Sequence, residues 1–378
     1  MNFVDEYFQE NPNERPRTEQ IPVVSYGYAN DLKARNRSIR AISSSGSWTL
    51  LWLIIVSNII SFAVSFIMGF MAGMNGETDI DQNLAISIIN ILVVVIGYPI
   101  AFYKFGKSRG RGFTEPLGSL FSKPQKSAVW VIKWVCISLS LTYLVAYGAD
   151  FIVTLINSGL AELGSSLSIN TTNIDFGDTG FGYFTYLFLV AISAPIMEEL
   201  LFRGILYKNS ESLGELFAVA LSGITFGLYH ANGVQSLYTI VLGVTSCLLL
   251  LKTESIIPSM ILHFMLNGVS TFYKLTGPYS DFDFDRFKTH DTIYIKEHFG
   301  ALLLNVLPAL FVLAVIIIGL ILFIVEVVRH IKNRSLHFDN GCYDISPAKK
   351  FLLYFSSPVT IITYLLIIIT LVINTFLS

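Results

Sequence analysis

Glu198 and Glu199, followed by the guanidinium of Arg203, stand in one long apolar run, and His230, His263 and Asn267 stand in two others. Ionisable groups near a bilayer centre cost at least ~2.5–3.5 kcal/mol each on insertion scales, so residues of these types are functional candidates by default. On a helix advancing about 100° per residue, Glu199 and Arg203 are i,i+4 neighbours and can neutralise each other. Glu198 lies ~140° from Arg203 around the same helix and is free for another partner. His263 and Asn267 are also i,i+4 neighbours, and His230 ends its run with Phe226 one turn earlier. A carboxylate in apolar surroundings can act as a general base toward a water, while histidines and an amide position that water or stabilise an oxyanion. A lone buried His or Glu is more often an interhelical hydrogen-bonding partner than a catalyst. Here the ionisable groups are concentrated, and a second Glu beside an already paired Glu and Arg has no packing rationale. Lys133 and Asp150 fall near the ends of their span, from which they reach the headgroups.

The elements that must hold these residues are membrane helices. Of the 378 residues, 53% are hydrophobic and only 14% charged, against about 25% in soluble domains. Long apolar runs at 48–73, 84–103, 128–157, 183–207, 301–326 and 351–377, with shorter ones at 213–230, 234–251 and 256–275, predict an all-α polytopic membrane protein of about nine transmembrane helices. The expected organisation is an amino-terminal arm over 1–47, a core over 48–326 with the motifs in 183–275, a basic loop over 327–350 and a last span over 351–378. Basic residues cluster in alternate loops, among them Arg37, Arg40, Lys104, Lys107, Lys208, Arg329 and Lys349, while the opposite loops hold only Lys274, Arg286, Lys288 and Lys296. By the positive-inside rule the amino terminus lies in the cytoplasm and the carboxyl terminus outside. A net charge of -2 with no basic domain disfavours nucleic-acid binding. Cys136, Cys247 and Cys342 form no disulfide framework and no CxxC pair. In segment 276–300 the alternation Asp281-Phe282-Asp283-Phe284-Asp285 suggests a short hairpin or an interfacial flap, or else a charged surface loop.

Depth gives a consistency check. At ~1.5 Å per residue Glu198 lies roughly 15 Å from the inner surface and His263 roughly 11 Å, but His230 would lie roughly 25 Å deep if its helix began at the surface. Ser212–Leu216 are therefore expected to protrude into the cytoplasm, and Ala231-Asn232-Gly233 to turn within the membrane. Glu198 and His230 must then come within ~10 Å of each other for a shared water to serve both.

Glu-Glu-x-x-x-Arg (198–203), Phe-x-x-x-His (226–230) and His-x-x-x-Asn (263–267), in this order on three membrane helices, resemble the motifs of the CPBP family of CAAX-prenyl-protease-type intramembrane proteases and bacteriocin-processing or self-immunity (Abi) proteins. The resemblance covers about residues 183–275. It implies an eight-helix protease core with one further carboxyl-terminal span, and peptide-bond hydrolysis within the membrane. Glu198 would activate water with His230, His263 and Asn267 would form an oxyanion-stabilising pair, and Arg203 would orient Glu198 and Glu199. A zinc site needs about three protein ligands and an open water position, which Glu198, His230 and His263 could supply, although no His-Glu-x-x-His helix is present. The expectation is a site with no obligatory metal.

The substrate expected from this reading is a membrane-associated peptide or protein, with the lipid bilayer as the other partner. The alternatives are a catalytically silent scaffold or self-immunity protein of the same fold, and a proton-coupled transporter. The last is disfavoured because no internal repeat is detectable. Asn374-Thr375-Phe376-Leu377-Ser378 carries no retention signal, which favours a bacterial plasma membrane.

Overall fold

The computed structural model describes residues 32–76, 80–108, 118–165, 168–170, 175–333 and 338–376. The amino-terminal arm up to residue 31 and the last two residues of the expected terminal span lie outside the described residues. Every described helix or strand element is helical. The helices are α1 (Leu32–Met74), α2 (Gln82–Ser108), α3 (Ala128–Glu162), α4 (Gly180–Leu213), α5 (Glu215–Tyr229), α6 (Gly233–Thr253), α7 (Ile257–Thr276), α8 (Phe284–Lys288), α9 (Thr292–Glu297), α10 (Phe299–Asn333), α11 (Pro347–Tyr354) and α12 (Pro358–Phe376). Seven of them, α1, α2, α3, α4, α6, α10 and α12, are long and apolar enough to cross a bilayer, and the chain is an integral membrane protein. The expected nine are reached only by adding α5, which is short, and α7, whose polar residues lower its hydropathy.

With no water in the bilayer core each backbone group must be satisfied within its helix, and helices then associate through small residues and side-chain hydrogen bonds. α5 and α6 pack along each other at a glycine seam. A Cβ on Gly227 would stand 2.3 Å from Ile240 Cγ1 and 2.6 Å from the Ser236 carbonyl oxygen. Gly227→Ala must push these helices apart, which costs about 1–3 kcal/mol by overpacking. The expected result is a lower unfolding midpoint in detergent; an unchanged midpoint would show that the seam is loose.

α3 packs against α6 and α10. Lys133 on α3 is paired: its Nζ lies 2.7 Å from Glu326 Oε1 on α10, and Arg329 Nη1 reaches the same oxygen at 3.0 Å. Glu326 is a buried acid that the sequence does not single out, because its partner lies on a helix remote in the chain.

Three further features depart from expectation. Residues 32–47 belong to α1, with Ile39, Ser43 and Ser47 fully buried. Segment 276–300 forms the short helices α8 and α9 instead of a hairpin, because Asp283 and Asp291 cap them: Asp283 Oδ1 accepts from Asp285 N and Arg286 N, and Asp291 Oδ1 from Tyr294 N. The alternating Phe282 and Phe284 serve a ring cluster with Phe287 and Tyr294 in place of a strand face. Finally, Ser212–Leu216 do not protrude freely. The stretch 338–343 covers them through Cys342 N to the Ser212 carbonyl (2.9 Å), Glu215 N to the Asp339 carbonyl (2.9 Å) and Asp339 N to Glu215 Oε2 (3.0 Å). Leu213 and Glu215 are buried as a result, and Leu216 alone of this group is largely exposed.

Candidate active site

α4 carries the two glutamates between two widened turns. Tyr186–Ser193 and Leu200–Tyr207 are π-helical, and Ala194–Glu199 between them is α-helical. In a π-turn the hydrogen bond runs from i to i+5, so each residue advances less around the axis than the ~100° of an α-helix. Glu198 therefore swings less far from the Arg203 face than a regular helix would put it, and both carboxylates meet the same histidine. Glu199 is fully buried, with Oε2 3.2 Å from Arg203 Nε and Oε1 3.1 Å from His263 Nδ1. The arginine contact is an ion pair off the N–H direction, and the guanidinium nitrogens find no protein acceptor among the described residues. Instead the guanidinium carbon lies 4.4 Å from the centroid of the Phe226 ring, a cation–π arrangement that stabilises a desolvated cation.

Glu198 faces the two histidines. Its Oε2 stands 3.8 Å from His230 Nε2 and 3.8 Å from His263 Nε2, well inside the ~10 Å limit set from the sequence. Its side chain retains 17% exposure while Glu199 has none, and its Oε2 is itself buried without a hydrogen-bond partner among the described residues. The proton positions follow from the partners. A carbonyl can only accept, so His230 Nδ1, 2.8 Å from the Phe226 carbonyl, carries the hydrogen. An ionised carboxylate also only accepts, so His263 Nδ1 donates to Glu199. In their neutral forms both Nε2 atoms then turn a lone pair toward Glu198. Three acceptors converge on one point, an arrangement that suits a water with both O–H bonds taken up. At 3.8 Å neither pair can hydrogen-bond directly, and one water can touch both.

The ring of Phe226 is the common wall. It meets His230 edge-on at 4.7 Å, His263 at 5.7 Å and Phe202 at 4.9 Å, centroid to centroid. His230 is the carboxyl-terminal cap of α5, and Ala231 takes the left-handed conformation with φ 52° before Asn232 caps α6 by accepting from Gln235 N at 3.0 Å.

Residues 180–269 match the family model of type II CAAX prenyl endopeptidase Rce1-like proteins. This segment is similar to that family, in line with the resemblance to CAAX-protease-type (CPBP) proteins carried by the three motifs. No curated protein and no solved structure matches the chain. The matched segment contains α4, α5 and α6 and reaches into α7 as far as residue 269, so all six residues singled out from the sequence fall within it.

Within the matched segment the structure brings Glu198, Glu199, Arg203, His230 and His263 into one cluster and gives Asn267 a different contact. Asn267 Nδ2 donates to the Val190 carbonyl at 2.9 Å, in the first π-turn of α4. One of its two N–H bonds is thereby used. α7 is fastened to the start of α4 at its other end, where Lys274 Nζ lies 3.0 Å from Asp175 Oδ1 and 2.7 Å from Asp178 Oδ1. The hydrogen bond from Lys274 holds the Asp175 carboxyl below its usual range. Two phenols that the sequence does not single out, Tyr98 and Tyr229, lie within electrostatic reach of Glu198. The only local signal for Tyr229 is its place directly before His230.

Glu198, His230 and His263 are the residues that would hold a metal at this site. The donor types suit zinc, and each histidine gives its second nitrogen to a carbonyl or carboxylate as metal ligands do. The spacing does not suit it: neighbouring ligand atoms in a tetrahedral zinc site stand about 3.3 Å apart at bond lengths of 2.0–2.2 Å. Here they stand 3.8 Å apart, and no group of three His, Cys, Asp or Glu among the described residues has metal-holding geometry. As arranged, the residues do not fit zinc.

Proposed function

We propose that the chain is an intramembrane endopeptidase that hydrolyses peptide bonds of membrane-associated peptides or proteins, with Glu198 as the base that activates water. The observation that carries this reading is the 3.8 Å approach of Glu198 Oε2 to both imidazoles, while Glu199 is occupied by Arg203 and His263. A water in that space gives one proton to Glu198 and hydrogen-bonds a histidine Nε2 with its other O–H. The hydroxide adds to the scissile carbonyl carbon, and Asn267 is the amide assigned to donate to the oxyanion. Glu198 then returns its proton to the leaving nitrogen as the C–N bond breaks, giving a carboxylic acid and an amine, and the acid's proton passes to the amine to leave a carboxylate and an ammonium. The histidines hold the water, and Glu199 orients the His263 ring through Nδ1. The pairing of Arg203 with Glu199 leaves Glu198 as the carboxylate available for chemistry. Basic residues at one end of the helices support an orientation with the amino terminus inside a bacterial plasma membrane and the carboxyl terminus outside.

The test is cleavage of lipid-anchored and transmembrane peptides by the purified protein in lipid nanodiscs, with products identified by mass spectrometry, for wild type and Glu198→Gln. Cleavage by the wild type that the variant lacks is the expected result. Equal behaviour of the two would favour a silent scaffold. Treatment with a strong zinc chelator should leave the rate unchanged. A loss restored by added zinc would overturn the metal-free mechanism.

A further inference from the structure

The last membrane helix, α12, lies outside the matched segment 180–269, yet it is fastened to the helix that carries His230. On α5, Thr225 Oγ1 lies 2.6 Å from the Leu221 carbonyl and 2.6 Å from Tyr364 Oη of α12. A threonine hydroxyl has one proton, and the carbonyl can only accept. The phenol of Tyr364 must therefore be the donor to Thr225. Both residues are buried, so water competes little for this bond.

α12 also touches the chain just past His230. A Cβ on Gly233 would stand 2.8 Å from Thr375 Cγ2, and the Thr375 carbonyl accepts from Asn170 N at 2.9 Å. The helix thus brackets His230, with one contact ahead of it and one behind. It is itself held on α1 by a seam of small hydroxyl side chains: Ser47 Oγ to Thr360 Oγ1 at 2.9 Å, Thr363 Oγ1 to the Ser47 carbonyl at 3.3 Å and Ser44 Oγ to Ser357 Oγ at 2.8 Å. Such interhelical hydrogen bonds fix the register of membrane helices.

We propose that α12 is part of the catalytic unit and that Tyr364 is a positioning residue, which through Thr225 sets the placement of α5 and so the aim of His230 Nε2 at Glu198. This rests on the endopeptidase reading above. A helix shifted by about 1 Å would carry the imbalance directly to the water held between Glu198 and His230, and misplacement on that scale costs up to about 10²-fold in rate. Tyr364→Phe is the mild probe: it removes the donor and leaves Thr225 bonded to Leu221. Thr225→Val is harsher, because it leaves the buried phenol without a partner.

The experiment compares full-length wild type, Tyr364→Phe, Thr225→Val and the double variant in nanodiscs, with Tyr354→Phe as a control that removes a buried phenol on α11. Tyr364→Phe is expected to lower kcat about tenfold with KM unchanged. The double variant should fall no lower than the weaker single variant, since both remove one interaction. A merely structural role would lower the unfolding midpoint and leave the kcat of folded molecules intact. Amide hydrogen exchange supplies the readout that does not need activity: residues 227–233 should exchange faster in Tyr364→Phe and as in the wild type in Tyr354→Phe. Unchanged exchange there, or a wild-type kcat in Tyr364→Phe, overturns the proposal. A wild type that cleaves nothing counts against the endopeptidase reading alone, and the exchange result still decides the brace.

Discussion

Glu198→Gln is expected to lower kcat by about 10²–10⁴-fold, the usual contribution of a positioned general base, with KM little changed. Gln keeps the shape and one acceptor oxygen but cannot take the proton of water. Both imidazoles keep their Nδ1 partners, the Phe226 carbonyl and Glu199, so the cavity should retain its geometry. The folded protein should be no less stable than the wild type, because the substitution removes a part-buried charge that lies beside a second carboxylate and has no ion partner other than the histidines. Initial rates and thermal unfolding on the same preparation check both halves. A variant that keeps the wild-type rate would remove Glu198 from the mechanism. One that loses activity only by unfolding would make it structural.

Arg203→Ala should have the largest effect on stability. It strands Glu199, which has no solvent exposure, with only the neutral partners His263 and Ser259 beside it, and removes the cation over Phe226. Breaking a buried ion pair by deleting one partner typically costs about 3–5 kcal/mol, because the remaining charge is left uncompensated. The measurement is the folded fraction during titration with a denaturing detergent. The paired change Glu199→Gln with Arg203→Met should recover most of the loss, since replacing both ions removes the desolvation cost together with the attraction. If the double variant is as unstable as Arg203→Ala, the guanidinium acts through packing on Phe226 and not through charge.

Parts of this site were legible before any coordinates. The pairing of Glu199 with Arg203 follows from helical spacing alone, and it leaves Glu198 as the carboxylate without a partner on its own helix. The convergence of His230 and His263 was an inference from concentration: charged and imidazole groups are too costly in lipid to be scattered without reason. The direction of Glu198 was not legible. Regular geometry turns it ~140° from Arg203, whereas the π-turn after Glu199 reduces that rotation, and no residue pattern in 200–207 announces a π-turn. The contact of Asn267 with the Val190 carbonyl was hidden for the same reason. The alternation at 281–285 pointed the wrong way because aspartates that cap helices and aspartates that face water from a strand look alike in a short window.

By itself the sequence determined the class of the protein, the helices that cross or pack within the bilayer, and the residue types that form the site. These depend on local properties: the length of an apolar run, the spacing of residues on one helix, and the cost of a charge in lipid. The tertiary structure alone decided which partners those groups take. Glu326 finds Lys133 across two helices, the stretch 338–343 covers the start of α5, and α12 reaches back to Thr225 and Gly233. Such pairings are set by how helices far apart in the chain lie against one another, which depends on side-chain volume and hydrogen-bond geometry at each crossing and leaves no periodic trace in the residues themselves.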